Sequence, residues 1–459
     1  MILSRRRFLS TAAGGVALGG LTRRIAAAAL DSRTEMPTPT PLQLAWQDME
    51  VGMFFHFDMR TYQPGWRFKD WTLPDANLYN PTKLDTDQWI SAAKAIGAKY
   101  AVFVARHASG FLQWQSDCYP YGVRQTTWRD GKGDVVQEFV DSCHKSGIVP
   151  GLYATVASNG YWEVSRGLVN RGEGGDPERQ SNYARNCERM LAELWSRYGP
   201  LAEIWFDGGA LSREEGGPDL IPLLKKYQPN AIVFQGPAAS IRYVGNERGM
   251  ADYPCWATVP SIEAAQTDKE MLDRGDPNGN VWLPAECDTT VRDRNWFWKP
   301  DGEEALRTLD ELMDVYYKSV GRNCNLLLNA NPDPDGLVPQ ADFQRYVEFG
   351  REIRRRFSVP LAETSGTGNL VELALKRPAT IDHVTIMEDI ACGERVRAYQ
   401  IEGLVPGNTW KQLCEGISIG HKRIQQFEPV ETSKVRLRLT ASVAEPRIRS
   451  LSVFSCSTS

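Results

Sequence analysis

The sequence predicts an α/β protein, a (β/α)8-like barrel followed by a C-terminal antiparallel β-sandwich. From residue 51 to about 357, short apolar runs alternate with longer segments of helical period. This alternation is typical of a parallel sheet covered by helices on both faces. After residue 356 short alternating segments replace it. A chain of 459 residues has room for a barrel of roughly 250 to 350 residues and a module of about 100.

The predicted barrel occupies residues 36–359. Its strands are predicted at residues 51–57, 100–105, 148–154, 202–206, 231–234, 281–283 and 325–328. The helices are predicted at residues 85–96, 135–146, 178–198, 219–227, 302–320 and 340–356. The sequence has neither a GxGxxG motif after the first strand nor a P-loop, so a closed barrel is favoured over an open nucleotide-binding sheet.

The predicted sandwich occupies residues 360–459. Its short alternating segments are residues 371–375, 383–388, 398–402, 435–440 and 450–454, separated by Gly, Pro and Asn turns. Residues 360–369 are rich in Gly, Ser and Thr and are predicted to connect the two domains. The sequence assigns this domain no site, and packing against the barrel is at least as good an interpretation as glycan binding.

The N-terminal region, residues 1–35, predicts export. The stretch SRRRFL at 4–9 precedes a mildly apolar segment, 11–21, and a run of small residues. This arrangement is typical of a twin-arginine signal. The apolar segment is too short and too rich in glycine to span a membrane, which needs about 20 apolar residues. We therefore expect a periplasmic or secreted protein with no membrane span in the mature chain.

Composition excludes several kinds of partner and cofactor. The formal net charge is -4, from 53 basic and 57 acidic residues, and the folded region has no basic stripe, so we predict no nucleic-acid partner. Nine cysteines without a CxxC spacing and only five histidines predict neither a structural zinc site nor a metal centre of three or four histidines. We expect no cofactor. The oligomeric state does not follow from the sequence.

The strongest catalytic candidate is Asp207. It follows an apolar strand directly and precedes two glycines, which allow a ligand to approach the backbone. In a parallel barrel the site lies at the carboxyl ends of the strands, so Asp207 is a candidate nucleophile. A helix N-cap is an equally good interpretation of an acidic residue at a strand-to-helix junction.

Two glutamates are candidates for the proton donor. Glu247 lies between glycines in a loop after the fifth strand, and Glu286 follows the next apolar run. A retaining glycosidase needs two carboxyl groups about 5 to 5.5 Å apart, a distance that spacing does not give. Either glutamate could also be a surface ion-pair partner.

Histidines and tryptophans complete the predicted site. His56 and His107 each end a strand, where neutral imidazoles can bind sugar hydroxyls, or alternatively a metal. Tryptophans near the predicted cleft can stack on sugar rings, although most tryptophans belong to the core. The tryptophans assigned to substrate binding are Trp66, Trp71, Trp205 and Trp296.

Several motifs together resemble glycoside hydrolase family 29, the retaining α-L-fucosidases, and within it the branch acting on α-1,3/1,4-linked fucose. The segment GMFFHF at 52–57 resembles the first-strand motif GIFLHFG, and WLPAECD at 282–288 resembles W-x-PAE-x-D. Residues 80–89, 205–208, 245–247, 290–298 and 323–329 also match family segments. The resemblance covers nearly all of the mature chain.

The resemblance implies a site. It implies Asp207 as nucleophile, Glu247 as acid/base, and His56, His107, Trp205 and Arg292 near the sugar. Glu286 would then be a binding carboxylate or support one. Where the family reads KHHDGF, this chain has RHASGF at 106–111, with Ala108 and Ser109 in place of histidine and aspartate.

The predicted function is an exported, retaining exo-glycosidase that resembles α-L-fucosidases and acts on an oligosaccharide or glycoconjugate. The changes at Ala108 and Ser109 leave a second hypothesis, the same mechanism on an L-galactose-like or pentose-type sugar. A third hypothesis is a sugar-binding homologue without turnover.

Overall fold

A computed structural model describes residues 36–236 and 238–456. The twin-arginine prediction falls on residues 1–35 and lies outside the described residues. Among the described helices, none is both long and apolar enough to cross a membrane.

The described chain contains ten α-helices and sixteen β-strands, with several short 3-10 turns. The helices are α1 (Pro41–Met49), α2 (Met59–Tyr62), α3 (Thr86–Ile96), α4 (Val135–Ser146), α5 (Pro177–Arg197), α6 (Leu220–Tyr227), α7 (Ala264–Thr267), α8 (Lys269–Arg274), α9 (Leu309–Lys318) and α10 (Gln340–Phe357). The strands are β1 (Val51–Phe55), β2 (Tyr100–Arg106), β3 (Val149–Ala154), β4 (Glu203–Trp205), β5 (Ile232–Phe234), β6 (Arg242–Tyr243), β7 (Thr258–Val259), β8 (Val281–Trp282), β9 (Ala285–Thr290), β10 (Cys324–Ala330), β11 (Ala362–Thr367), β12 (Leu370–Glu388), β13 (Val396–Val405), β14 (Thr409–Gly416), β15 (Arg423–Ser442) and β16 (Arg447–Phe454).

Eight parallel strands form the barrel. Their order is β5-β4-β3-β2-β1-β10-β9-β6, and a parallel bridge between Phe234 and Ile241 joins the two ends of this order. All residues of β1, β2, β9 and β10 are buried, as expected for strands enclosed by helices. The predicted (β/α)8-like barrel is confirmed.

The helix boundaries follow local sequence signals. Asp85 caps α3 by accepting a hydrogen bond from the Gln88 amide, and Asp134 caps α4 through the Gln137 amide. Both helices end at a glycine with positive φ, Gly97 at 84° and Gly147 at 70°, where a residue with a Cβ atom would be strained. These caps explain why α3 and α4 match their predicted ranges closely.

The prediction that residues 281–283 form a barrel strand was wrong. Strand β8 pairs antiparallel with β7 in a separate two-stranded sheet, and the barrel strand is the next segment, β9. No apolar run marks β9, because its sequence, AECDTT, places buried carboxyl groups inside the barrel. Strand β6 was missed because it has only two residues.

The C-terminal domain is an antiparallel sandwich, as predicted. Its six strands run in the order β11-β16-β12-β15-β13-β14 around one apolar core that includes Ile381, Ile401 and Leu437. Residues 360–369 were predicted to be a connection, but β11 lies there and pairs with β16. Its residues alternate between half-buried and exposed, so small polar residues form a strand at the edge of the sheet.

Hydrogen bonds join the sandwich to the barrel. The Glu394 carboxylate accepts from the Ala257 amide at 3.1 Å and from the Asn323 side chain at 2.5 Å. The Oδ1 atom of Asn323 in turn accepts from the His421 amide at 2.6 Å. These buried bonds fix the sandwich against the turn that leads into β10.

Candidate active site

Asp207 lies at the carboxyl end of β4, at the mouth of the barrel. The Tyr153 hydroxyl, from β3, donates to its Oδ2 atom at 2.9 Å, and the Thr155 hydroxyl donates to its backbone oxygen at 2.8 Å. The side chain and the main chain of Asp207 are therefore held by β3 and by the residue that follows it. The carboxylate is oriented by the protein but remains accessible from the mouth of the barrel.

The N-cap interpretation of Asp207 is wrong. The helix after β4 is α6, and it begins after Asp219, twelve residues further along the chain. Gly208 and Gly209 both have φ of 72°, a backbone conformation that favours glycine. The chain therefore turns sharply after Asp207 and leaves its carboxylate facing the barrel mouth.

Glu247 approaches from the loop after β6. Its Oε2 atom accepts a hydrogen bond from the Trp296 indole at 3.0 Å, and its backbone oxygen accepts from the Thr289 hydroxyl at 2.8 Å. The Asn246 side chain closes the loop by donating to the Met250 oxygen at 3.0 Å. The structure thus fixes this loop and gives the exposed Glu247 side chain a defined position.

The charge of Glu247 affects the pKa of Asp207. Desolvation raises the pKa of Asp207 above its ordinary value, the Tyr153 hydrogen bond opposes this, and the negative charge of Glu247 raises it further. The charge of Glu247 therefore favours the protonated form of Asp207.

His56 and His107 form one wall of the pocket. Their rings are 6.0 Å apart, and both contact Phe297, at 5.2 Å and 4.9 Å between ring centroids. Burial lowers the pKa of His56 to about 3 and that of His107 well below its usual range. Both imidazoles are therefore neutral, so each ring has one nitrogen that donates and one that accepts a hydrogen bond.

Asn329, on β10, sets the orientation of His56. Its Oδ1 atom lies 2.6 Å from His56 Nδ1, while its Nδ2 atom donates to the Trp296 backbone oxygen at 3.0 Å. Since these bonds fix the amide, His56 Nδ1 donates and Nε2 remains an acceptor. Among the described residues, neither His56 nor His107 belongs to a group of three ligand atoms able to hold a metal.

Trp205 and Glu286 meet inside the barrel. The Trp205 indole donates to Glu286 Oε2 at 3.0 Å, and the Tyr100 hydroxyl donates to Oε1 at 2.7 Å. Glu286 is 0% exposed, so it lies beneath the pocket and supports Trp205. Burial raises the pKa of Glu286, and that of Glu203 is raised by burial and by the charge of Glu286.

Arg292 forms a buried ion pair, and its side chain is not open to solvent. Its Nε atom lies 2.9 Å from Oδ1 of Asp342 on α10, and both side chains are at most 1% exposed. The structure therefore does not present Arg292 at the pocket surface. The buried pair connects the loop after β9 to α10.

Within the described residues, Trp66 and Trp71 make no hydrogen bond or ring contact with the two histidines. The Trp66 indole donates to the Thr72 backbone oxygen at 2.6 Å, and Trp71 packs on Phe68 at 4.5 Å. Arg171 lies over the Trp71 ring. Trp296, in contrast, contacts both Glu247 and the His56 ring, at 5.0 Å.

Tyr153 and Asn329 were not among the site residues predicted from the sequence. Tyr153 is the fifth residue of the six in β3, and Asn329 is next to last in β10. Both satisfy the rule that polar groups at strand ends form the site of a parallel barrel, and this signal was present in the sequence.

Comparison with known proteins identifies the family. The sequence profile of the family described as α-L-fucosidase matches residues 40–355. Alpha-L-fucosidase 1 of Arabidopsis thaliana is 28% identical over 91% of this chain and 88% of its own length.

Two crystal structures are also similar. One, from Bacteroides thetaiotaomicron and assigned as an α-L-fucosidase, is 44% identical, with a TM-score of 0.88 over 92% of this chain and 100% of its own. A glycoside hydrolase 29 family member from an unknown rumen bacterium is 31% identical, with a TM-score of 0.80 over 92% of this chain and 78% of its own. The barrel and these matches show that the chain is a glycoside hydrolase of the α-L-fucosidase family, glycoside hydrolase family 29.

Proposed function

We propose that this enzyme is a retaining exo-α-L-fucosidase in which Asp207 is the nucleophile and Glu247 is the acid/base. The observation that carries the proposal is the pairing of each carboxylate with an aromatic donor of the same pocket, Tyr153 for Asp207 and Trp296 for Glu247. Both aromatic rings also lie close to His56, at 6.1 Å and 5.0 Å between centroids.

In the first step, Asp207 attacks the anomeric carbon and the bond from that carbon to the leaving oxygen breaks. Glu247 gives its proton to the leaving oxygen, so the aglycone departs as an alcohol. Tyr153 keeps Oδ2 of Asp207 in place, and the neutral His56 and His107 bind the sugar.

In the second step, Glu247 removes a proton from water. The resulting hydroxide attacks the anomeric carbon, and the ester bond to Asp207 breaks. Both carboxyl groups return to their starting protonation states. Because each step inverts the anomeric carbon, the product has the configuration of the substrate.

The choice of sugar needs a direct test, because Ala108 and Ser109 differ from the family motif. We expect turnover of an aryl α-L-fucoside to exceed that of aryl α-L-galactosides and pentosides. Preference for another glycone would leave the proposed mechanism standing and change only the proposed sugar. Binding without turnover of any glycoside would support the alternative of a sugar-binding homologue. Proton NMR of the first product should show retained configuration, and an inverted product would remove the nucleophile role of Asp207.

We also propose export by the twin-arginine route to the periplasm or the medium, on the basis of the SRRRFL segment at 4–9. The double variant Arg5→Lys/Arg6→Lys should remain in the cytoplasm of the expressing bacterium, while the native chain should appear in the exported fraction. Equal export of both proteins would contradict this route.

A further inference from the structure

Arg60 lies at the pocket wall formed by the two histidines. It belongs to α2, which follows β1 and His56 after a short turn. Its guanidinium carbon is 5.0 Å from the centroid of the Phe297 ring. Phe297 packs edge-on against both His56 and His107. The Arg60 guanidinium therefore packs on the aromatic ring that contacts both imidazoles.

The Arg60 guanidinium has no polar partner within residues 36–236 and 238–456. Its interactions there are the contact with Phe297 and a longer-range attraction to the Asp58 carboxyl group. The side chain is half-buried, and none of its nitrogen atoms is sealed from solvent. An arginine offers five N–H donors and no acceptor, so this side chain brings unused donors to the pocket.

In the described structure, the neighbouring side chains do not accept hydrogen bonds from the Arg60 guanidinium. The nearest carboxylate in sequence, Asp58, accepts from the Ser109 hydroxyl at 2.8 Å and does not form an ion pair with Arg60 in the described structure. Ser109 is occupied by that bond, and Ala108 has no polar side chain. Of residues 107–109, only His107 can therefore offer a side-chain hydrogen bond to a sugar.

The charge of Arg60 contributes, after burial, to lowering the pKa of both His56 and His107. The geometric observation that places the guanidinium beside the histidine wall is its contact with Phe297, whose ring packs against both imidazoles.

Ring contacts along this wall lead from Asp207 toward Arg60. The Tyr153 hydroxyl contacts Asp207, while the Tyr153 ring stacks on His107 at 5.7 Å, with Phe297 and then Arg60 beyond it. A sugar whose anomeric carbon faces Asp207 turns its remote hydroxyl groups toward this wall. Two adjacent hydroxyl oxygens match the forked donors of a guanidinium.

We propose that Arg60 is a specificity-determining residue whose guanidinium binds two adjacent hydroxyl groups of the glycone, those remote from the anomeric carbon. This proposal rests on the proposed function. It gives the substrate class as glycones with a vicinal pair of hydroxyls at C3 and C4, and it assigns Arg60 the donor role that Ala108 cannot fill.

The test combines sugar and protein changes. Binding of methyl α-L-fucoside and its 2-, 3- and 4-deoxy derivatives is measured by calorimetry in the Asp207→Asn protein, where hydrolysis does not interfere. With Arg60 present, loss of the C3 or C4 hydroxyl should weaken binding by about tenfold or more. In the Arg60→Met variant, removing the C3 or C4 hydroxyl should weaken binding very little. The effect of removing the C2 hydroxyl should be the same as with Arg60 present.

Controls separate the possible outcomes. Arg67→Met removes an exposed arginine of the same segment that pairs with Asp70 and should change none of these ratios. Arg60→Lys keeps the charge without the fork and should give an intermediate effect, and unfolding midpoints show whether each variant is folded. Deoxygenation effects that are identical with and without Arg60 would overturn the Arg60 proposal alone. Absence of all fucoside binding, in contrast, would overturn the proposed glycone as well.

Discussion

The Tyr153 hydroxyl donates a hydrogen bond of 2.9 Å to Oδ2 of Asp207. Tyr153 is itself held between two rings, stacking on His107 at 5.7 Å and on Trp205 at 5.5 Å. Burial and the charge of Asp207 raise the pKa of Tyr153 well above its usual range, so the phenol stays protonated and remains a donor. The orientation of the candidate nucleophile is therefore determined by the aromatic packing around Tyr153.

Replacement of Tyr153 should move the acid limb of the pH profile. The hydrogen bond lowers the pKa of Asp207 against the effect of burial, so Tyr153→Phe should raise that pKa. Because Asp207 must be ionised to attack, kcat/KM should begin to fall at a higher pH than in the native enzyme, by about one unit for a bond to a charged group worth about 1.5 kcal/mol. Measurement of kcat/KM on an aryl fucoside across the acidic range checks this.

Tyr198→Phe is a matched control for Tyr153→Phe. The Tyr198 hydroxyl also donates to an aspartate at 2.9 Å, but its partner is Asp134, the N-cap of α4. This variant should leave the acid limb unchanged. An equal shift in both variants would mean that the profile reports general stability and not the ionisation of Asp207.

Removal of the Asp207 carboxylate should nearly abolish turnover. For Asp207→Ala we expect kcat to fall by about four orders of magnitude or more, as for loss of other covalent nucleophiles. The space left beside Tyr153 should admit azide or formate, which should restore part of the activity. Turnover within tenfold of the native rate, measured on the same aryl glycoside, would be incompatible with a nucleophilic Asp207.

The sequence predicts the barrel because its helices and most of its strands carry strong local signals. Apolar runs identify β1, β2 and β3, and capping aspartates such as Asp85 and Asp134 mark the helix starts. Strand β9 carries no such signal, because Glu286 and Asp288 are buried within the barrel and their burial depends on tertiary structure. Polar residues inside a barrel are not recognisable from local periodicity.

Prediction of the site has the same limit. Position at a strand end was enough to select Asp207, His56 and His107, since all parallel strands end on one face. It could not distinguish Glu247, which the structure holds at the mouth, from Glu286, which lies beneath Trp205. Nor could it show that Arg292 is buried with Asp342, because its partner is 50 residues further along the chain.

The Arg292–Asp342 pair should contribute mainly to stability. Arg292→Met would leave Asp342 buried without its partner and should lower the free energy of unfolding by about 3 to 5 kcal/mol. The double variant Arg292→Met/Asp342→Leu removes both charges and should recover most of that loss. Denaturant unfolding of the three proteins measures this. If kcat/KM remains low in a double variant of native stability, Arg292 has a direct role in substrate binding.

Glu247 and Glu286 should respond differently to the leaving group. A general acid matters most when the leaving group is poor, so Glu247→Ala should slow hydrolysis of natural oligosaccharides far more than that of activated aryl glycosides. Azide should rescue it and yield a glycosyl azide of retained configuration. Glu286→Gln keeps the shape of a side chain that is hydrogen-bonded to Trp205 and Tyr100. For this variant we expect a similar loss of hydrolytic activity on both substrate classes.

The two variants control for each other, because each removes one carboxylate bonded to a tryptophan indole. The Glu247 bond lies at the exposed mouth, whereas Glu286 is sealed in the barrel and has no surface to offer a leaving oxygen. A strong dependence on the leaving group in Glu286→Gln, with none in Glu247→Ala, would require Glu286 to reach the substrate through a rearranged barrel interior. The loop of Glu247 would then be structural, while Asp207 and the retaining mechanism would still stand.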